Sequence, residues 1–378
     1  MIDSHTHLNL QGEGGPAVLE GMHWEEIGAI AAYGAREYFM DGFTTVRDIG
    51  GMHTGLKKII DKGLLVGPRI YTSGGFISQT CGHGDFRLES QNIAKESNTV
   101  RLGISRLADG RPDVLAACRE SLAGGAVYLK VMVGGGVATE KDPMHSEQYT
   151  PDEIRAVVEV AESRDTYVAA HVYQNAHTKR ALDLGIKSIE HGHFIDEATA
   201  NLIKEKGTFL SPNLAGMHPD ILKHPLFGTP GPQNTKVLQF HEGSANFVDI
   251  VQKVQPKVVF NTDTVFCSQA AARAHRSFEK WTHAEFFGNL AALKALTSAG
   301  GELAALTGQN NPYPGKLGVI EAGALADMLI VDGNPLADIT VIGAHPKWLD
   351  AEPRLEEGIE NIRMIMKDGV IYKNTLKG

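Results

Sequence analysis

Eight short apolar, β-rich runs, amphipathic stretches between them, and polar residues recurring where the runs end predict an α/β fold, a (β/α)8 TIM barrel. Near-continuous apolar strands alternating with helices imply a parallel sheet covered on both faces. Eight of them suit a closed barrel better than an open doubly wound sheet. The runs are residues 1–7, 43–50, 68–74, 126–136, 166–171, 187–191, 208–212 and 257–263.

The first run, "MIDSHTH", carries His5-Thr6-His7 and is followed by an amphipathic stretch at 25–42. "FTTVRDIG" and "PRIYTSG" are the second and third. The fourth, "AVYLKVMVGGG", holds Lys130 in an otherwise apolar setting. Its glycines are not followed by Gly-Lys-Ser/Thr, and no G-x-G-x-x-G opens a helix after the first run, so neither nucleotide motif is supported. Thr150-Pro151-Asp152-Glu153 starts a helix over 150–165, with Thr as N-cap, Pro at N1 and acids in the first turn. The fifth run ends in His171, the sixth in His191, and the eighth in Asp263. After about residue 308 short strands and turn signals such as Asp368-Gly369 take over. The expected division is a barrel over 1–307 and a small β appendage over 308–378.

Bulk properties narrow the function. The 378 residues carry a net charge of −9 with no basic cluster, which excludes a nucleic-acid footprint. No apolar stretch reaches the ~20 residues that cross a bilayer. Three scattered cysteines give no disulfide scaffold and suit a reducing compartment. A cytoplasmic location is therefore expected.

A barrel presents its chemistry at the C-terminal ends of the strands. Among 16 histidines, random placement alone gives ~0.7 His-x-His pairs, so His5 and His7 gain meaning only from the other strand ends. A lone strand-end histidine is more often a hydrogen-bonded residue, and Asp263 is equally suited to capping the helix after it. Lys130 is harder to dismiss, because a buried ammonium is costly unless paired or modified. Together these groups form a metal-site pattern: two residues apart on a strand share a face, so His5 and His7 can reach one ion.

The ordered set "IDSHTHL", "CGHGDFR", "LKVMVGGG", "AAHVYQ", "IEHG", "FNTDT" and "LGVIEAGALADMLIVDGNPLADI" resembles the amidohydrolase superfamily, specifically its imidazolonepropionase-like and Xaa-Pro-dipeptidase-like metal-dependent hydrolases. The resemblance implies two divalent ions, zinc foremost. His5, His7 and Asp263 would hold the buried ion and His171 and His191 the exposed one. Lys130 would bridge them as a CO2-derived carbamate. Geometry from sequence does not choose between His191 and His193; the family's "IEHG" favours His191. Asp263 would act as general base and then acid. Tyr173 and His83 would contact the substrate, with Arg47 and Arg87 as further carboxylate partners.

The implied reaction is cleavage of an amide, foremost a dipeptide or N-acyl amino acid with a free C-terminal carboxylate. A cyclic amide, aryl amide or urea is the alternative, and a non-catalytic metal-binding scaffold a remote one. Deaminases place a Glu shortly after the strand-five histidine; Val172-Tyr173-Gln174-Asn175 offers none. Relatives begin several dozen residues earlier, with half of a β-sandwich. The C-terminal strands are accordingly expected to present an open edge, and the protein to be a homo-oligomer.

Overall fold

A computed structural model describes residues 1–91, 97–351 and 358–376. Eight parallel strands follow the eight runs: β1 (Ile2–Thr6), β2 (Thr45–Asp48), β3 (Arg69–Thr72), then, beyond the short strands β4 (Phe76–Ser78) and β5 (Ser105–Leu107), β6 (Leu129–Met132), β7 (Val168–Gln174), β8 (Ser188–Phe194), β9 (Phe209–Ser211) and β10 (Lys257–Val258). They form a three-stranded sheet β1-β2-β3 and a seven-stranded sheet β10-β9-β8-β7-β6-β4-β5.

Backbone hydrogen bonds join the two sheets at both ends. Val127 N, leading into β6, donates to Thr72 O of β3 at 2.9 Å, while Ser4 N of β1 donates to Phe260 O at 2.8 Å and Asp263 N to His5 O at 3.0 Å. Fully buried Asp3 reinforces the second junction by accepting from Thr262 Oγ1 at 2.7 Å. The run expected over 257–263 is regular strand only at Lys257–Val258. Val259 still donates to Leu210 O of β9, but from Phe260 onward the backbone turns to β1.

β4 and β5 depart from the sequence reading. β6 pairs with β7 on one side and β4 on the other, and β4 pairs in turn with β5, which ends the sheet.

The helices form where local chemistry asks for them. Thr150 and Glu153 exchange capping bonds at the start of Pro151–Glu162, which satisfies donors that have no partner inside the helix. This helix buries Ile154, Val157, Val158 and Ala161 against the β6–β7 side of the sheet. Trp24–Met40 buries Ala31, Ala35, Tyr38 and Phe39 toward β1 and β2.

The C-terminal segment makes a three-stranded antiparallel sheet, β11 (Met328–Val331), β12 (Ile362–Lys367) and β13 (Val370–Asn374), in that order. Its inner face is continuous with the main core: Ile362 and Ile365 cluster with Met1, Phe39 and Phe43. Val370 and Ile371 on the outer strand are exposed. Among the described residues no helix is long and apolar enough to cross a membrane.

This shared core predicts one cooperative unit. Ile365→Ala should cost about 2–5 kcal/mol and lower the urea midpoint of a single transition. An early, separate loss of the C-terminal sheet would show that it is not coupled to the parallel strands.

Candidate metal centre

The strand ends converge on a cavity of about 1080 Å³, its open mouth included. His5 lies in β1 and His7 just past its end, and their Nε2 atoms are 3.2 Å apart. Each is 3.4 Å from Asp263 Oδ1. Their other nitrogens are taken: His5 Nδ1 lies 2.8 Å from Glu190 Oε2, and His7 Nδ1 3.0 Å from Gly50 O. These acceptors fix both rings as Nδ1–H tautomers. Two imidazole lone pairs and a carboxylate oxygen therefore face one point in a buried place, where a metal ion or a shared proton relieves their mutual repulsion.

The rest of the predicted set adjoins this point. Ligand-type atoms of His5, His191 and Asp263 lie within 4.8 Å of one another. The His171 ring packs edge-on against His191 at 4.6 Å, and its Nε2 is buried without a hydrogen-bond partner. Burial pushes the His7 pKa down to about 3 and those of His171 and His191 well below the usual imidazole range. Those directions favour the neutral ring, the form that ligates. For Asp263, burial acts upward, but His5, His191 and His7 outweigh it and hold the carboxyl ionised. Lys130 is 1 % exposed on β6. Burial lowers its ammonium to about 8 against the pull of Glu190 and Asp263. Imidazole and carboxylate donors suit zinc and similar divalent ions, and the residues present fit such a group.

Two of these residues sit on strained backbone. His191 has φ +70° and Asp263 φ +48°, the left-handed region that non-glycine residues avoid. β8 runs on through Gly192, and His191 and His193 both stack on Tyr173, but only His191 lines the cavity. His191 faces the cluster, whereas His193 lies against Phe240 and Phe247, outside the cavity lining.

The predicted substrate contacts are both in the cavity wall. Tyr173 stacks on His191 at 4.8 Å, and burial, with Asp263 and Asp142 adding to it, raises its hydroxyl pKa far enough to keep it a donor. His83 stacks on His171 at 4.0 Å, nearly parallel. Its Nδ1 is 2.6 Å from Asp142 Oδ2, while Asp142 Oδ1 accepts from buried Lys236 Nζ at 3.0 Å. Gly136 is obligatory beside them, because a Cβ there would overlap both rings.

Arg47 and Arg87 are placed otherwise than as carboxylate partners. Arg47 gives Nη2–H to Glu190 at 2.6 Å inside the sheet, and Arg87 grips Asp85 with two donors. Neither lines the cavity.

Glu190 was missed by the sequence reading. Burial acts upward on its carboxyl, but Arg47 and His5 hold it well below the usual range, so an anion orients His5 from behind. Its signal was there: an acid inside the apolar run "KSIEH" raises the same question as Lys130. His275 and Trp348 also line the cavity, and no local pattern announced them.

Comparison with known proteins gives the family. The Amidohydrolase family profile matches residues 1–372. Ochratoxinase of Aspergillus niger is 29% identical over 338 residues, covering 84% of this chain but only 66% of that enzyme's length. A prolidase solved with N-methylphosphonate-L-proline is 33% identical, with a TM-score of 0.83 over 99% of this chain and 86% of that one. A Xaa-Pro dipeptidase with bound methionine is 27% identical, with a TM-score of 0.79 over 99% and 86%. The family is generally metal-dependent, and the match over nearly the whole length, on a chain whose strand ends gather histidines and a carboxylate, places this protein in the amidohydrolase family as a hydrolase.

Proposed function

We propose that this protein cleaves an amide C–N bond using two divalent ions, zinc foremost, at the C-terminal mouth of a closed (β/α)8 barrel. The observation that carries the reading is the convergence of His5 Nε2, His7 Nε2 and Asp263 Oδ1 within 3.4 Å. The backbone bonds Val127–Thr72 and Ser4–Phe260 support barrel closure.

His5, His7 and Asp263 would hold one ion, His171 and His191 the other. Lys130 would bridge them: its neutral amine adds to CO2, loses a proton and becomes a carbamate anion, which removes the cost of a buried ammonium. Bound metal supplies Lewis acidity toward the carbonyl and acidifies water. Asp263 Oδ2 takes the proton of the attacking water as the C–O bond forms, then passes it to the leaving nitrogen as C–N breaks. Glu190 and Arg47 keep His5 turned toward the site. His83, steadied by Asp142, orients the substrate carbonyl, and the Tyr173 hydroxyl donates to a substrate carboxylate.

The substrate class this favours is an N-acyl amino acid or dipeptide with a free carboxylate, as the prolidase and dipeptidase relatives suggest. Among the described residues no lysine or arginine lines the cavity, which favours as second reading an uncharged aryl amide, cyclic amide or urea. Self-association through the exposed outer strand of the C-terminal sheet belongs to the same proposal.

Three measurements test these roles. Zinc-loaded protein should release amino acid from N-acyl amino acids and dipeptides, and Tyr173→Phe should raise KM for free-carboxylate substrates but not for their amidated versions. Release from neither version sinks the peptide reading. Asp263→Asn should lower kcat by about 10²–10⁴-fold; near-normal turnover would remove it as proton carrier. Glu190→Gln should weaken metal affinity by about 10–100-fold, read by competition with a chelating dye. Unchanged affinity would make Glu190 a purely structural partner of Arg47.

A further inference from the structure

β9 supplies none of the metal-type ligands, yet the chain two residues past its end reaches the site. Asn213 lines the cavity and is partly exposed there. Its Oδ1 lies 3.1 Å from His191 Nδ1 and accepts that N–H. The bond occupies the acceptor end of the amide and leaves the donor end, Nδ2, on the opposite side. No described residue accepts from Nδ2.

Gly216 shows what Nδ2 faces. A Cβ built on this glycine would have Nδ2 at 3.4 Å and the Phe240 ring at 3.7 Å as its nearest neighbours outside the adjoining residues. Gly216 and Phe240 both line the cavity, so Nδ2 borders open space rather than packed protein. Tyr173 shares these surroundings: its ring stacks on His191 at 4.8 Å and meets Phe240 edge-on at 5.6 Å. His83 stands apart, on His171. The wall made by Tyr173, Asn213 and Phe240 thus carries two uncharged donors, while no lysine or arginine is among the described lining residues. Uncharged N–H and O–H groups recognise an anion through charge-assisted hydrogen bonds, which are shorter and stronger than neutral ones.

We infer that Asn213 selects the substrate's free carboxylate, its Nδ2–H donating to one carboxylate oxygen while the Tyr173 hydroxyl donates to the other. The inference rests on the amide-cleaving reading and names the specificity residue within it. An anionic substrate end is thereby held without a basic partner: two oriented donors stand where an arginine would otherwise be needed.

The test uses two ligands without a scissile carbonyl, N-methylphosphonate-L-proline and its prolinamide counterpart, which differ only in a terminal carboxylate or carboxamide. Each is titrated calorimetrically into zinc-loaded protein, with zinc content and melting temperature measured first for every variant. Wild type should bind the carboxylate about 10-fold more tightly or better. Asn213→Asp keeps an oxygen for His191 but turns the donor into an anion. It should weaken the carboxylate ligand by about 100-fold. The carboxamide can donate to the new acid, so its affinity should hold and the preference invert. Asn213→Leu removes both polar ends; it should weaken the carboxylate ligand by about 10-fold and gain nothing for the carboxamide. A wild-type preference that survives in both variants overturns the role of Asn213 and leaves the reaction reading standing. Equal weakening of the two ligands overturns it as well, because Asn213 would then read the half of the molecule they share. Binding of neither ligand by wild type defeats the free-carboxylate reading itself, and the inference falls with it.

Discussion

The junction between the first strand and residues 260–263 is the constraint on which the site depends. Two backbone bonds and the Asp3–Thr262 contact bring the earliest residues of the chain against its distant eighth run. Only there can Asp263 meet His5 and His7. The chain accepts a left-handed residue at Asp263 to do it, at a cost on the order of 1–3 kcal/mol. Asp263 N–H donating to the His5 carbonyl holds that conformation.

Behind this junction lies a chain of buried charge, Arg47 to Glu190 to His5, crossing from β2 through β8 to β1. Ion pairs taken out of water add little net stability, yet losing one partner costs about 3–5 kcal/mol. Such a pair therefore makes a rigid support rather than a stabilising one. Asp142 serves His83 in the same way from the other wall, with Lys236 locking the carboxylate. Both histidines are set by an acid that is itself set by a base.

What the sequence made legible follows from one physical argument, that polar groups in apolar strands need a reason. It pointed to His5, His7, Lys130, His171 and Asp263, and applied consistently it would have included Glu190. It could not separate His191 from His193, because residues two apart on a strand share a face, and both rings do stack on Tyr173. The added strands β4 and β5 are three residues each, too short for a periodic signal. His275 and Trp348 meet only through tertiary packing, which leaves no trace in local pattern.

The placement of Trp348 has a consequence for how such a protein can change. The ligands and their supports come from the parallel strands, but part of the wall facing the substrate comes from the segment that also builds the antiparallel sheet. Part of the cavity wall is thereby written in a different stretch of the gene from the reacting groups. A recombination or loop exchange after the last parallel strand would alter what enters the cavity while leaving the reacting groups untouched. The shared core of Ile362 and Ile365 with Phe39 and Phe43 limits such exchanges to segments that can refill the same apolar seat.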